Sequence, residues 1–227
     1  MRQSRNWIGA IAWIAGPVQF VIVQLVVQSS WPTSYSWTAN AISDLGAARC
    51  GRFAGPPVQY VCSPLHAVMN ASTVVLAVLV ALGGLLAGAA WGSGVVSLAA
   101  RGLILVAAAG DALVGFSPED VHPGLHLLGA FMAIGVGNAA LILAGLIRRT
   151  SPLGQLRPFT VPLSVLAMAA TWLTFVRWTP GVGSGGMERM AVFPLLYWLL
   201  VAGVCLLSGT PVRDTPCGVR DLTSPAR

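Results

Sequence analysis

The chain has 227 residues, 56% hydrophobic and only 9% charged, with a mean hydropathy of +0.76 and a formal charge of +6. A soluble domain carries roughly a quarter charged residues, so this chain is too poor in charge to face water on all sides. The pI near 9.9 does not indicate nucleic acid. Every basic residue is Arg, and these stand at the ends of apolar runs rather than in a patch with stacking aromatics. That is how membrane-orienting charge is distributed.

A helix needs roughly 20 apolar residues to cross the hydrocarbon core. Six segments meet that length: about Trp7 to Gln28, His66 to Ala89, Ser97 to Gly115, Leu125 to Ile147, Phe159 to Trp178 and Met190 to Leu207. The fold class is therefore all-α, a polytopic bundle of six transmembrane helices over residues 1–208, followed by a polar tail, 209–227, expected to be a disordered cytoplasmic segment. The first segment reads as a retained anchor, because its apolar stretch exceeds a signal-peptide core and lacks a clear small-x-small cleavage site. With both termini in the cytoplasm, Arg2, Arg5, Arg101, Arg148, Arg149, Arg157, Arg213, Arg220 and Arg227 lie inside. Arg49, Arg52, Arg177 and Arg189 lie outside. This is the expected positive-inside bias for a multi-pass protein of the cell membrane.

The external connection, 29–65, is too long and too patterned to be a linker. Residues 36–46 predict a short helix, with Ser36 or Thr38 as cap, Gly46 as stop, and Trp37, Ala41 and Leu45 on one face. Cys50 and Cys62 flank the rest of the loop on the oxidising side, and a disulfide between them would contribute roughly 2–3 kcal/mol. Gly84, Gly88 and Gly92 recur every four residues, a smooth strip suited to close packing within the bundle or to a homodimer. The segment from Pro180 to Gly186, with four glycines, reads as a flexible loop; it lacks the Lys-Ser/Thr ending of a phosphate loop.

The polar residues are one-sided. His66, His122, His126, Asp44, Asp111, Glu119, Asp120 and Glu188 all map to the outer mouth. Asp111 is the sharpest of them, since a carboxylate inside a transmembrane segment costs at least a few kcal/mol unless paired, hydrated or protonated. His122 and His126 are four apart and would share a face if the fourth helix begins at His122. His66 and Asn70 repeat that spacing, with Thr73 continuing the strip. These three histidines could bind zinc, with Asp111 as general base and Asp44 or Asp120 orienting a ligand.

The stretch Asn40-Ala41-Ile42-Ser43-Asp44-Leu45-Gly46, then Gly110-Asp111, and Phe116-Ser117-Pro118-Glu119-Asp120 ahead of His122 and His126, resembles the bacterial and archaeal membrane proteins grouped as domain of unknown function 998. The resemblance spans about Ile8 to Leu207 and implies a multi-helix membrane bundle without an established activity. Ser63, His66, Asp111 and the His122/His126 pair are also similar in inventory to the alkaline ceramidase and progestin-receptor superfamily of membrane zinc amidases. That likeness stops at the inventory: six helices stand in place of seven, and the His pair opens the fourth helix rather than lying on the last.

Two functions follow as expectations. One is a structural, sensory or small-transporter protein with a polar Asp/His cluster at its outer mouth. The other is a membrane-embedded metal-dependent hydrolase or lipid-modifying enzyme of the outer leaflet. Membrane lipids or a small amphipathic ligand are the expected partners, not nucleic acid.

Overall fold

In the computed structural model the described residues form a bundle of six helices long and apolar enough to cross a membrane. Residues 2–53, 59–179 and 181–209 are described, without the side chains of 2–5 and 53. The tail from 210 onward, Cys217 included, lies outside the described residues. Helix α1 is Arg2–Ser29, α2 is His66–Leu86 and α3 is Val95–Phe116. Helix α4, Pro123–Gly145, has α-helical ends (Pro123–Ala130 and Gly137–Gly145) joined by a π-helical turn at Phe131–Val136. Helix α5, Leu153–Phe175, opens with a 3-10 turn over Leu153–Leu156. Helix α6 is Gly183–Ser208.

Each helix packs on its neighbours in sequence, and α6 closes the ring against α1. Lipid tails are as apolar as the helices, so packing and hydrogen bonds must hold such a ring together. At one end, Trp13, Trp91 and Trp198 meet with ring centroids 5.7–5.9 Å apart, all essentially without exposure. Trp13 Nε1 donates to Val80 O at 3.2 Å and Trp198 Nε1 to Thr160 Oγ1 at 2.9 Å, so two of the three indoles also tie helices by hydrogen bonds. Deeper in, the fully buried Asn138 donates to Thr171 Oγ1 and to Ala191 O, both at 2.8 Å, joining α4, α5 and α6. Arg101 donates from Nε to Gly84 O at 2.7 Å and from Nη2 to Leu85 O at 3.0 Å. It thereby satisfies carbonyls that the end of α2 leaves without helical partners. The glycine strip is used inside the chain. Cβ atoms at Gly84, Gly88 and Gly92 would meet Leu105, Arg101 and Ser151 respectively.

The opposite end is covered by the connection between α1 and α2, which we call the cap. Strands β1 (Gly51–Phe53) and β2 (Gln59–Val61) pair antiparallel with Arg52 opposite Tyr60. The Cys50–Cys62 disulfide closes this hairpin, as the sequence predicts.

The helix expected over 36–46 does not form as one piece. Asn40 N bonds Ser36 O at 2.7 Å in a single turn, and only Ser43–Gly46 is helical, as a 3-10 turn. Side chains have taken the backbone groups that a helix would use. Ala41 N donates to Asp44 Oδ2 at 2.9 Å and Ile42 N to Glu188 Oε2 at 2.7 Å. The glycine-rich loop is also different from expectation, because α6 already begins at Gly183. Gly185 N and Gly186 N donate to Thr38 O at 3.0 and 3.3 Å. Cβ atoms at Gly183 and Gly185 would overlap Thr38 O and Asn40 O. These glycines are what lets the cap backbone lie directly on α6.

A Cβ on Gly83 would overlap the indole of Trp13, which Trp91 and Trp198 hold in place. Gly83→Ala is therefore expected to cost about 1–3 kcal/mol by overpacking, while Gly102→Ala, which meets nothing within 4 Å, should melt no lower than wild type. Thermal unfolding in one detergent compares the two; equal midpoints would remove the wedge argument.

Candidate functional site

The cap is held by side chains of α2 and α6, of the α3–α4 connection and of its own end before α2. Arg189, 5% exposed, donates from Nη1 to Asn40 O at 2.6 Å and to Trp37 O at 2.9 Å. Its neighbour Glu188 accepts Ile42 N. Asn70 Nδ2 donates to Gly46 O at 2.9 Å and Ser63 Oγ to Leu45 O at 2.7 Å. Asp120 accepts Ala48 N and Arg49 N, one on each carboxylate oxygen, both at 2.9 Å. Each of these bonds satisfies a cap backbone group that burial would otherwise leave unpaired.

Beneath the cap lies a cavity of ≈ 70 Å³ walled by α1, α2, α3, α4 and α6. Its polar lining is Ser43, Asn70, Thr73, Asp111, His126 and Glu188. Asp111 makes no hydrogen bond to the protein among the described residues. His126 Nδ1 bonds Ser117 O at 2.8 Å. A carbonyl only accepts, so Nδ1 carries the proton, and in the neutral ring Nε2 is left as an acceptor. The space has room for more than one water, since a single water needs only about 10–15 Å³ by a comparable measure.

The structure brings Asp111 and His126 to the walls of one cavity and leaves the other two histidines off it. His66, first residue of α2, bonds its own turn through Nδ1 to Ser63 O at 3.0 Å. His122 is exposed, and its φ of −131° puts it outside α4, which starts at Pro123. The i,i+4 face expected for the His pair is therefore not formed. Among the described residues, no group of three or more His, Cys, Asp or Glu is placed to hold a metal ion. Asp120 is committed to the cap backbone, and Asp44 to Ala41 N and to Glu119.

Asp44 and Glu119 form a carboxyl pair at the rim. Burial pushes the Glu119 carboxyl up to about 8, and the charge of Asp44 adds to the shift. Burial also raises Asp44, against the lowering effect of the Ala41 N–H. Each of the two carboxyls therefore holds its proton to higher pH than an exposed one would. Tyr35, whose hydroxyl receives Arg189 Nη2 and donates to Ala41 O, is pushed up to about 12 by burial, against the Arg189 charge. It is a fixed donor at physiological pH.

The sequence puts Glu188 and Glu119 at the mouth without a role and offers Arg189, with Arg177, as an ion-pair partner for Asp111; in the structure Arg189 donates to Trp37 O, Asn40 O, Gly185 O and the Tyr35 hydroxyl instead. The available signal was the adjacent Glu188-Arg189 pair inside an otherwise apolar run, which must be satisfied by something once that run is helical.

The fold defines an integral membrane protein with six spans among the described residues and a small cavity at its capped end. A family model described as "Protein of unknown function (DUF998)" matches residues 14–205, and the chain belongs to that family. No curated protein and no solved structure matches it.

The Glu119 shift has a sign. A carboxyl whose folded pKa lies above its ordinary 4.5 contributes its full stability below that value and loses it as pH rises toward about 8. Wild-type melting temperature should therefore fall between those pH values. Glu119→Gln, which mimics the protonated acid, should flatten much of that slope; an unchanged slope would assign the pH dependence elsewhere.

Proposed function

We propose that the protein is a non-catalytic member of the sensory or small-transporter kind, with its cap facing outward from the cell membrane and its cavity taking up a proton or a small cation at Asp111. The observation that carries this reading is Asp111 itself: a carboxylate within a span, facing a small cavity with room for water, with no hydrogen-bond partner in the protein among the described residues. In the bilayer interior such a group must be neutralised by a proton or a counter-charge. His126 and Glu188 on the same walls supply a second acceptor and a second carboxylate. Orientation rests on the Arg bias and on the Cys50–Cys62 disulfide, which suits an oxidising compartment.

Size favours this reading over a hydrolase. Sites for small organic molecules run to roughly 300–1,000 Å³, and ≈ 70 Å³ suits water, a proton or a bare cation rather than an ester or amide. Acid–base chemistry by Asp111 and His126 on a lipid substrate would require that substrate to reach under the cap.

Melting of the protein in lipid nanodiscs, with pH and then sodium, lithium or ammonium varied, tests the proposal. At a hundredfold excess over Kd a ligand stabilises by about 2.7 kcal/mol, which is several degrees in Tm. Asp111→Asn should abolish the response to cations and leave, of the response to pH, only the part that Glu119 contributes. If wild type and Asp111→Asn respond identically, or if purified protein hydrolyses lipid esters or amides in an Asp111-dependent way, the reading fails. Reporter fusions after Ser208 and at Gly51 should report opposite compartments, the cap one outside.

A further inference from the structure

On the other side of α6 lies a second space, independent of the polar cavity. It is a groove of ≈ 650 Å³ between α5, α6 and the cap, walled by Trp37, Leu163, Leu166, Met190, Phe193 and Tyr197, with Arg189 also on its lining. From Gly186 to Tyr197 the groove follows α6 for about 16 Å, at 1.5 Å per residue. It runs from the cap end into the depth of the bilayer. Leu166, Met190 and Tyr197 are exposed along it.

Arg189 is the one charged residue on that lining. The residue is only 5% exposed, and its Nε is buried without a hydrogen-bond partner. Its other contacts are the carbonyls of Trp37, Asn40 and Gly185, the Tyr35 hydroxyl, and the rings of Trp37 and Tyr35 at 4.9 and 5.7 Å. All of these are neutral. Asp44 and Glu188 act on it through their fields, yet no carboxylate stands within ion-pair distance among the described residues. Glu188 spends its own oxygen on Ile42 N. A buried cation without a paired anion is costly, and this one adjoins an apolar channel open to lipid.

We infer that the groove is a binding site for an anionic phospholipid of the membrane, with an acyl chain along α5 and α6 and its phosphate at the Arg189 end. The apolar walls match the chain, a guanidinium matches a phosphate better than any other side chain does, and Trp37 and Tyr35 stand at the level where aromatic residues meet headgroups. The site differs from general lipid contact in having one charged residue, sequestered at one end of a defined volume.

Native mass spectrometry of the full chain, released from nanodiscs of phosphatidylcholine with a fifth phosphatidylglycerol, reads the occupant. One phosphatidylglycerol should be retained at least tenfold in excess of its share. Leu166→Trp, which fills the groove without touching Arg189, should lose that retention at least tenfold while melting like wild type before lipid is added. Arg189→Lys keeps the charge and should retain the preference for anionic lipid more weakly. Retention of the two lipids in proportion to their abundance, selection of an uncharged lipid, or undiminished retention by Leu166→Trp would each overturn the inference.

Discussion

Two adjacent charged side chains at the head of α6 hold the capped end together. Glu188 accepts a backbone N–H of the cap and Arg189 donates to backbone carbonyls of the same segment, so the pair grips donors and acceptors alike. Successive helical residues point about 100° apart. That divergence sends Glu188 to the polar cavity and Arg189 to the apolar groove, and one helix turn serves both spaces. Without the pair, the cap would have buried backbone groups and no partners for them, and the cavity would lose its roof.

The two ends of the bundle are stabilised by different chemistry. One end is packed with the indoles of Trp13, Trp91 and Trp198, ring against ring. The capped end is held by charge-assisted and neutral hydrogen bonds around a void. An aromatic end and a hydrogen-bonded hollow end give the molecule a filled base beneath a chamber, with the Asp44 and Glu119 carboxyl pair at its rim.

Much of the architecture was legible in the sequence because hydrophobic length is a strong signal. The six spans and the Cys50–Cys62 pair follow from apolar runs and from which side of them the cysteines fall. Helix starts were less legible. Gly183 to Gly186 read as a loop by glycine content, because nothing local reveals that Thr38 and Asn40 will lie against them. The 36–46 segment carried helical spacing, but buried carboxylates from α6 and from Asp44 itself outcompeted the helix ladder. The histidines show the limit of counting in fours. His126 reaches the cavity wall, whereas His122 sits one residue before the helix and His66 turns back to Ser63. Asp111 stood out by the cost of its burial; the role of Glu188 came only with the tertiary contact that satisfies it.

The π turn at Phe131–Val136 fixes the angular phase between the two halves of α4. A π turn amounts to one residue more than an α-helix would hold, so it rotates everything beyond it by about 100° relative to an uninterrupted helix. His126 lies on one side of that offset, on the cavity wall, and Asn138 on the other, hydrogen-bonded to Thr171 and Ala191. In a regular α-helix with the same number of residues between them, those two side chains could not both keep their present directions. The turn acts as a length gauge: it lets a single helix present an imidazole to one compartment of the bundle and an amide to another, and ties both assignments to the residue count between them.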